Sequence, residues 1–501
     1  MQAVRSTAPR PARGLSALFG ATVLALSGCA GLSRELPPPV AEVFSRSGVP
    51  ASSFAVVAFP LAAPQQGLRL NADQPMQGAS TMKLLTAAAA LYQLGPNSRG
   101  RTELLVAGDP GAAPATMAPD GRLLTPLYLK GGADADLDWS ALWFMLRDLR
   151  ERHGVQELAG GVVVDRSMFR PSRPELGAPA FDEQPEFPYN VIPDALNLNG
   201  SLLSFDLRSD GQQVQARPFP AFGGLDIDTQ PLTLNDRGCT DWEDGWQIPQ
   251  ASLPAGSSTD GARLQMRGSF PRDCQVRQSL NLLDRQWTTA QALRQLWASL
   301  GGSLTGEIRE GATPVPARVL VRHQDRPLAE LLRPVLKSSD NATTRLIFQR
   351  LGAAAAQPGE DTLVAAQRSV RDWLVTQGVD PHGVVLENGA GLSRIERISA
   401  AQMAAMLQAV QRGPYGPELL ATLPVAGVDG TLARRFKDTP AQGRARLKTG
   451  TLRDVVALAG YVPDASGQLW VVVTIVNDVH AAQARPAMDA LVAWVAAQGV
   501  R

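Results

Sequence analysis

The chain has 501 residues, 44% of them hydrophobic and 6% aromatic, which suits an ordinary globular protein of two or three domains. Its 48 basic and 47 acidic residues leave a net charge of +1. Without a cationic surplus to neutralise phosphates, a nucleic-acid partner is excluded.

Arg5, Arg10 and Arg13 form a positive start, and residues 14–26 form a short apolar run without charge. A run this short is a signal segment rather than a membrane span. It ends in Leu26-Ser27-Gly28-Cys29, which resembles a bacterial lipobox. The expectation is a signal peptide over residues 1–28, a lipid on Cys29, and a tether over residues 29–35 that runs on into RELPPP. The protein is then exported to the periplasm. Ala30 stands where an inner-membrane retention signal would place aspartate, so the membrane contact is the outer membrane through the Cys29 anchor. The run LWVVVTIV at 469–476 is too short to span a bilayer and reads as a buried strand.

Residues 36–100 read as helix, strand, strand, helix. The second helix, MKLLTAAAALYQL over residues 82–94, is apolar nearly all round and should be buried. Ser80 precedes it and Lys83 lies inside it. Three residues apart, a hydroxyl and an amine share one helical face. A serine so placed can be activated without histidine, provided burial keeps part of the lysine neutral. The helix N-terminus also favours a developing anion.

From residue 101 to about 285 the texture changes to Gly, Pro, Asp and short β-like runs, with one clear helix at 139–152. This reads as an inserted, mostly β unit. It contains Cys239 and Cys274, the two cysteines left once Cys29 is set aside, and an exported chain with two such cysteines suggests one disulfide. No pattern supports a metal site or a cofactor.

From residue 286 helices return, and the chain closes strand, strand, helix. The simplest architecture is one α/β (α+β) domain split in sequence, residues 36–100 and 286–501, around the insertion at 101–285. Its sheet should be antiparallel and five-stranded, with the last helix on one face. Ser339-Asp340-Asn341 precedes a helix, and Asp340 caps it. Ser339 can relay a proton to a leaving amine, and Asn341 can hydrogen-bond Lys83 and a substrate amide. Lys448-Thr449-Gly450-Thr451 reads as an edge strand. Lys448 supplies a cation that lowers the Lys83 pKa and, with Thr449, meets a carboxylate. Gly450 allows close approach of a substrate backbone. The N–H groups of Ser80 and Thr451 form an oxyanion hole.

The ordered triplet S-x-x-K, S-D-N, K-T-G is the signature of penicillin-binding proteins and serine β-lactamases. Only five lysines exist in the chain, and two fall in the triplet. Further segments extend the likeness: LYLKGG at 127–132, GVVVD at 161–165, NGAGLSR at 388–394, LPVAG at 423–427 and DGTL at 429–432. The mature chain resembles the D-alanyl-D-alanine carboxypeptidase/endopeptidase family of low-molecular-mass, class C penicillin-binding proteins.

That resemblance implies the penicillin-binding, β-lactamase-like fold and acyl transfer on peptidoglycan stem peptides. Ser80 attacks the bond after a D-Ala, the terminal residue leaves, water resolves the acyl-enzyme, and β-lactam antibiotics acylate the same serine. It further implies that Asp134, in GGADADL at 131–137, and Arg394 bind the stem-peptide side chain, although relatives carry P-T where Ala135-Asp136 stand here. Two other readings stay open from the residues: a serine β-lactamase or esterase on the same fold, which the long insertion disfavours, and a non-catalytic wall-binding lipoprotein, which the intact triplet disfavours.

Overall fold

The structure is a computed structural model that describes residues 32–33, 35–109, 117–219, 223–253 and 261–499. Cys29 and the proposed signal segment lie outside the described residues. The catalytic half is built on one sheet in the order Leu32–Ser33, Gly67–Leu70, Phe54–Pro60, Leu469–Asn477, Val455–Pro463, Arg446–Leu452. The five longer strands pair antiparallel, and two-residue Leu32–Ser33 adds a parallel edge.

Side-chain alternation decides what covers each face. Phe54, Val56 and Ala58 point one way and pack with the Pro38–Ser45 and Arg485–Ala496 helices. Ala55, Val57 and Phe59 point the other way, onto the Lys83–Gln93, Leu328–Ser338, Asn341–Ala355 and Ala400–Arg412 helices. The Lys83 helix is enclosed there, which is why its sequence is apolar all round.

The insertion is larger than its texture indicates. Its five-stranded sheet runs Ile308–Glu310, Val162–Asp165, Leu127–Gly132, Arg101–Ala107, Ala317–Gln324. The boundary at 285 is therefore corrected to the turn after Gln324. The Arg285–Ser299 helix was assigned to the catalytic half on helical texture alone. Its apolar face, with Leu293 and Trp297, packs instead on the Trp139–His153 helix inside the insertion. A second, all-β part spans residues 203–280. There Cys239 and Cys274 form a disulfide.

The insertion is fastened to the catalytic half beside the site. Arg345 donates to the Asn190 and Val191 carbonyls at 2.8 and 3.0 Å, and Leu346 packs with Ala133, Phe169 and Ala195.

Candidate active site

Ser80 sits on a single 3-10 turn, Ala79–Met82, that runs directly into the Lys83 helix. The turn places Ser80 Oγ 3.0 Å from Lys83 Nζ. The same amine donates to Asn341 Oδ1 and to the Ala390 carbonyl, both at 2.5 Å. Asn341 Nδ2 donates onward to the Tyr189 carbonyl of the insertion at 3.0 Å. Asp340 points away and caps its helix by accepting from the Thr343 N–H at 3.0 Å.

Ser339 adopts a left-handed φ of 64° at the end of the preceding helix. That bend brings its Oγ to within 2.9 Å of Lys448 Nζ, which also donates to the Thr449 carbonyl at 2.8 Å. Thr449 Oγ1 donates to Thr431 Oγ1 at 2.8 Å, so the DGTL segment braces the strand. Thr451 lines the same cleft as Ser80, Ser339 and Asn341, and the cleft holds about 480 Å³.

Gly450 has a part that its sequence position does not indicate. A Cβ there would lie 2.6 Å from the Gly78 carbonyl and 3.1 Å from Ala79 Cβ. The missing side chain lets the strand close on the nucleophile's own turn.

Both lysines are fully buried. Burial lowers Lys83 to about 7, against a raising effect from Glu396 and Asp340 and with help from Arg345. Lys448 is held well below the usual lysine range, first by burial and then by Lys83. Burial acts on Lys83 as expected, but the cation that lowers it is Arg345 in place of the expected Lys448, and Lys448 is a second amine sharing the dry site.

Asp134 is also corrected. It is fully buried away from the cleft, accepting from Thr102 Oγ1 at 3.1 Å and the Asp136 N–H at 3.1 Å, with His323 Nδ1 at 2.6 Å. A carboxylate surrounded by protein partners holds the insertion's sheet and is closed to substrate. Arg394 does reach the cleft and stacks 4.5 Å over the Phe181 ring. The acids on that wall are Asp182 and Glu183, with Arg453 beside them at 3.9 Å from Glu183. Nothing in the local sequence distinguishes them from loop acids. Only their docking opposite the K-T-G strand does.

A serine, a buried amine of lowered proton affinity and an open cleft define a serine acyl-transfer enzyme of the penicillin-binding fold. The D-Ala-D-Ala carboxypeptidase 3 (S13) family model matches residues 39–498, and the chain belongs to that family. It is 28% identical over 486 residues to a D-alanyl-D-alanine carboxypeptidase of Actinomadura sp. (strain R39), covering 95% of this chain and 87% of the relative. It is 25% identical over 418 residues to D-alanyl-D-alanine carboxypeptidase DacB of Haemophilus influenzae, covering 81% of each chain. Among solved structures, penicillin binding protein 4 (dacB) from Haemophilus influenzae shares the fold, with a TM-score of 0.70 at 23% identity over 88% of this chain and 93% of that one.

Proposed function

We propose that this protein is a serine D-Ala-D-Ala carboxypeptidase and D,D-endopeptidase of peptidoglycan stem peptides, acylated on Ser80 and inhibited by penicillin. The observation that carries it is the 3.0 Å contact between Ser80 Oγ and an amine that burial lowers to about 7, so that a substantial fraction is neutral near neutral pH.

Lys83 takes the Ser80 proton as Oγ attacks the carbonyl carbon of the D-Ala-X bond. The N–H groups of Ser80 and Thr451 receive the oxyanion. As the C–N bond breaks, Ser339 relays that proton from Lys83 to the leaving amine, its Oγ held by Lys448 Nζ at 2.9 Å. Water, deprotonated by Lys83, then hydrolyses the ester and restores Ser80.

Asp182 and Glu183 opposite Arg394 and Arg453 present both signs of charge on one wall. That wall suits the zwitterionic end of a diaminopimelate side chain, in the place expected for Asp134. Export and a lipid on Cys29 at the outer membrane rest on the L-S-G-C sequence.

The test is intact-mass analysis with penicillin, then product analysis with cross-linked and uncross-linked muropeptides. One adduct on wild type and none on Ser80→Ala is expected, with loss of D-Ala or cleavage of cross-links. An adduct retained by Ser80→Ala would overturn the reading.

A further inference from the structure

We propose that Glu396 is a positioning residue for Lys83: it holds the loop whose Ala390 carbonyl lies against the amine. The proposal rests on the reading of Lys83 as the base.

Glu396 is only 2% exposed. Its Oε1 accepts three backbone N–H groups, from Glu387, Asn388 and Gly389, at 3.0, 3.0 and 2.9 Å. Its Oε2 is buried and has no hydrogen-bond partner among the described residues. A buried carboxyl group is costly, so its presence calls for a role. Successive N–H groups turned toward one oxygen make a backbone nest for an anion, and here a side chain of the same segment fills it.

The loop held in this way ends at the amine. Gly389 gives its carbonyl to Thr86 Oγ1 at 2.7 Å, and Ala390 gives its own to Lys83 Nζ at 2.5 Å. The fit leaves no slack. A Cβ on Gly389 would lie 2.4 Å from the Phe348 ring, and one on Gly391 would lie 1.9 Å from the Ala79 carbonyl. Both glycines have left-handed φ, 70° and 78°. Asn388 adds a further anchor, its Oδ1 accepting from the Ala390 N–H at 3.0 Å, and Gln367 Nε2 donates to the Glu387 carbonyl at 3.0 Å.

The consequence follows from the shape of an amine. A neutral amine has two N–H bonds and one lone pair, and Lys83 Nζ has three neighbours. Asn341 Oδ1 and the Ala390 carbonyl can only accept, so they take the two N–H bonds. The lone pair is left to Ser80 Oγ–H. Without a fixed Ala390 carbonyl the amine can turn, and the lone pair loses its aim. Glu396 thus governs where the base points.

Charge gives the second effect. The groups facing Lys83 are Glu396 and Asp340, which favour its protonation, and Arg345, which opposes it. Lys448 is the other buried amine, and Glu387 faces Glu396 from its own loop. Burial raises the Glu396 carboxyl against the pull of its three N–H donors, and where it is ionised, deleting its charge should free the Lys83 amine at lower pH.

The test is the pH profile of acylation by a chromogenic cephalosporin, on the full chain. Glu396→Gln keeps an oxygen for the three N–H groups but drops the charge. Its acid limb should move to lower pH by about half a unit or more. Glu396→Ala should be slower by about tenfold or more at every pH, because the carbonyl is no longer held. An unmoved acid limb in Glu396→Gln overturns the proposal, since a purely structural anchor predicts no shift. Loss of the fold in Glu396→Gln, checked by circular dichroism, overturns it as well. Lys83→Arg separates the two failures. If Lys83→Arg still acylates, the base assignment falls. If it is inactive while the Glu396→Gln limb stays put, only the role of Glu396 falls.

Discussion

Lys83 Nζ and the Ala390 carbonyl meet at 2.5 Å across 307 residues of sequence. That contact, with Asn341 Oδ1 at 2.5 Å, fixes the amine of a lysine enclosed by apolar helices, and in the proposed mechanism it aims that amine as the base. The mechanism depends as much on these two acceptors as on the serine one turn away.

Acylation by penicillin or a chromogenic cephalosporin should rise with pH through about 7 and then level off. Burial is the main cause that places Lys83 there, and the neutral amine is the active form. Lys83→Arg should lose about 10²–10⁴-fold in acylation, because a guanidinium has no lone pair to give near neutral pH. Stopped-flow acylation across pH measures both. A flat profile, or an active Lys83→Arg, contradicts the assignment.

Lys448→Ala should fail differently. It removes the partner of Ser339 at 2.9 Å and, in the role proposed for it, a cation for the substrate carboxylate. Substrates with a free C-terminal carboxylate should lose more than ester substrates that lack one, with the difference read in KM. Equal losses for both classes would show that Lys448 acts only on the chemical step.

Gly450→Ala should impair acylation without touching any reacting group. The new Cβ would meet the Gly78 carbonyl at 2.6 Å, so the strand must back away from the Ser80 turn. A Thr451 N–H displaced from the oxyanion position costs about 10²–10³-fold, by comparison with loss of one oxyanion donor. Wild-type acylation by this variant would place the strand elsewhere.

Asp134→Asn should affect stability and leave the choice of substrate unchanged. The carboxylate is buried against Thr102 and His323, and breaking such a network costs about 1–3 kcal/mol. The hydrogen bond to Asp134 raises the His323 pKa above its ordinary 6.5. A raised histidine adds stability that is fully present below 6.5 and fades as pH rises through the folded value. Thermal unfolding of Asp134→Asn should lose that dependence. Asp182→Asn and Glu183→Gln should instead raise KM for diaminopimelate peptides and leave penicillin acylation intact. A specificity change in Asp134→Asn with unchanged stability would reverse this division.

Replacing Cys239 and Cys274 by serine should cost about 2–4 kcal/mol of stability, since the bridge closes a loop with a sequence separation of 35. Acylation rates should be unaffected, because the bridge sits in the all-β part of the insertion. Denaturant unfolding with a parallel acylation assay checks both halves.

The sequence by itself picked out Ser80, Lys83, Ser339, Asn341 and Lys448, which the structure brings together at one cleft. Ser80 and Lys83 are neighbours through local helical geometry, and an apolar helix around a lysine already implies a dry amine. The S-D-N and K-T-G elements were legible because their residue types are tied to the reaction. The sheet was legible from the continuous apolar runs at 455–463 and 469–477, which are buried on both faces. Tertiary structure alone decided the rest. Asp134 reads as an available carboxylate until the sheet pairing with residues 101–107 and the approach of His323 bury it. The Arg285–Ser299 helix reads the same on either half, and only the strands at 308–310 and 317–324 assign it to the insertion. Gly450 takes its role from Gly78, far away in sequence, and Glu396 takes its role from Lys83, which the fold brings to the carbonyl that the Glu396 loop carries. Periodicity and composition report a residue's immediate chain neighbours, whereas burial and long-range pairing depend on which surfaces the folded chain brings together.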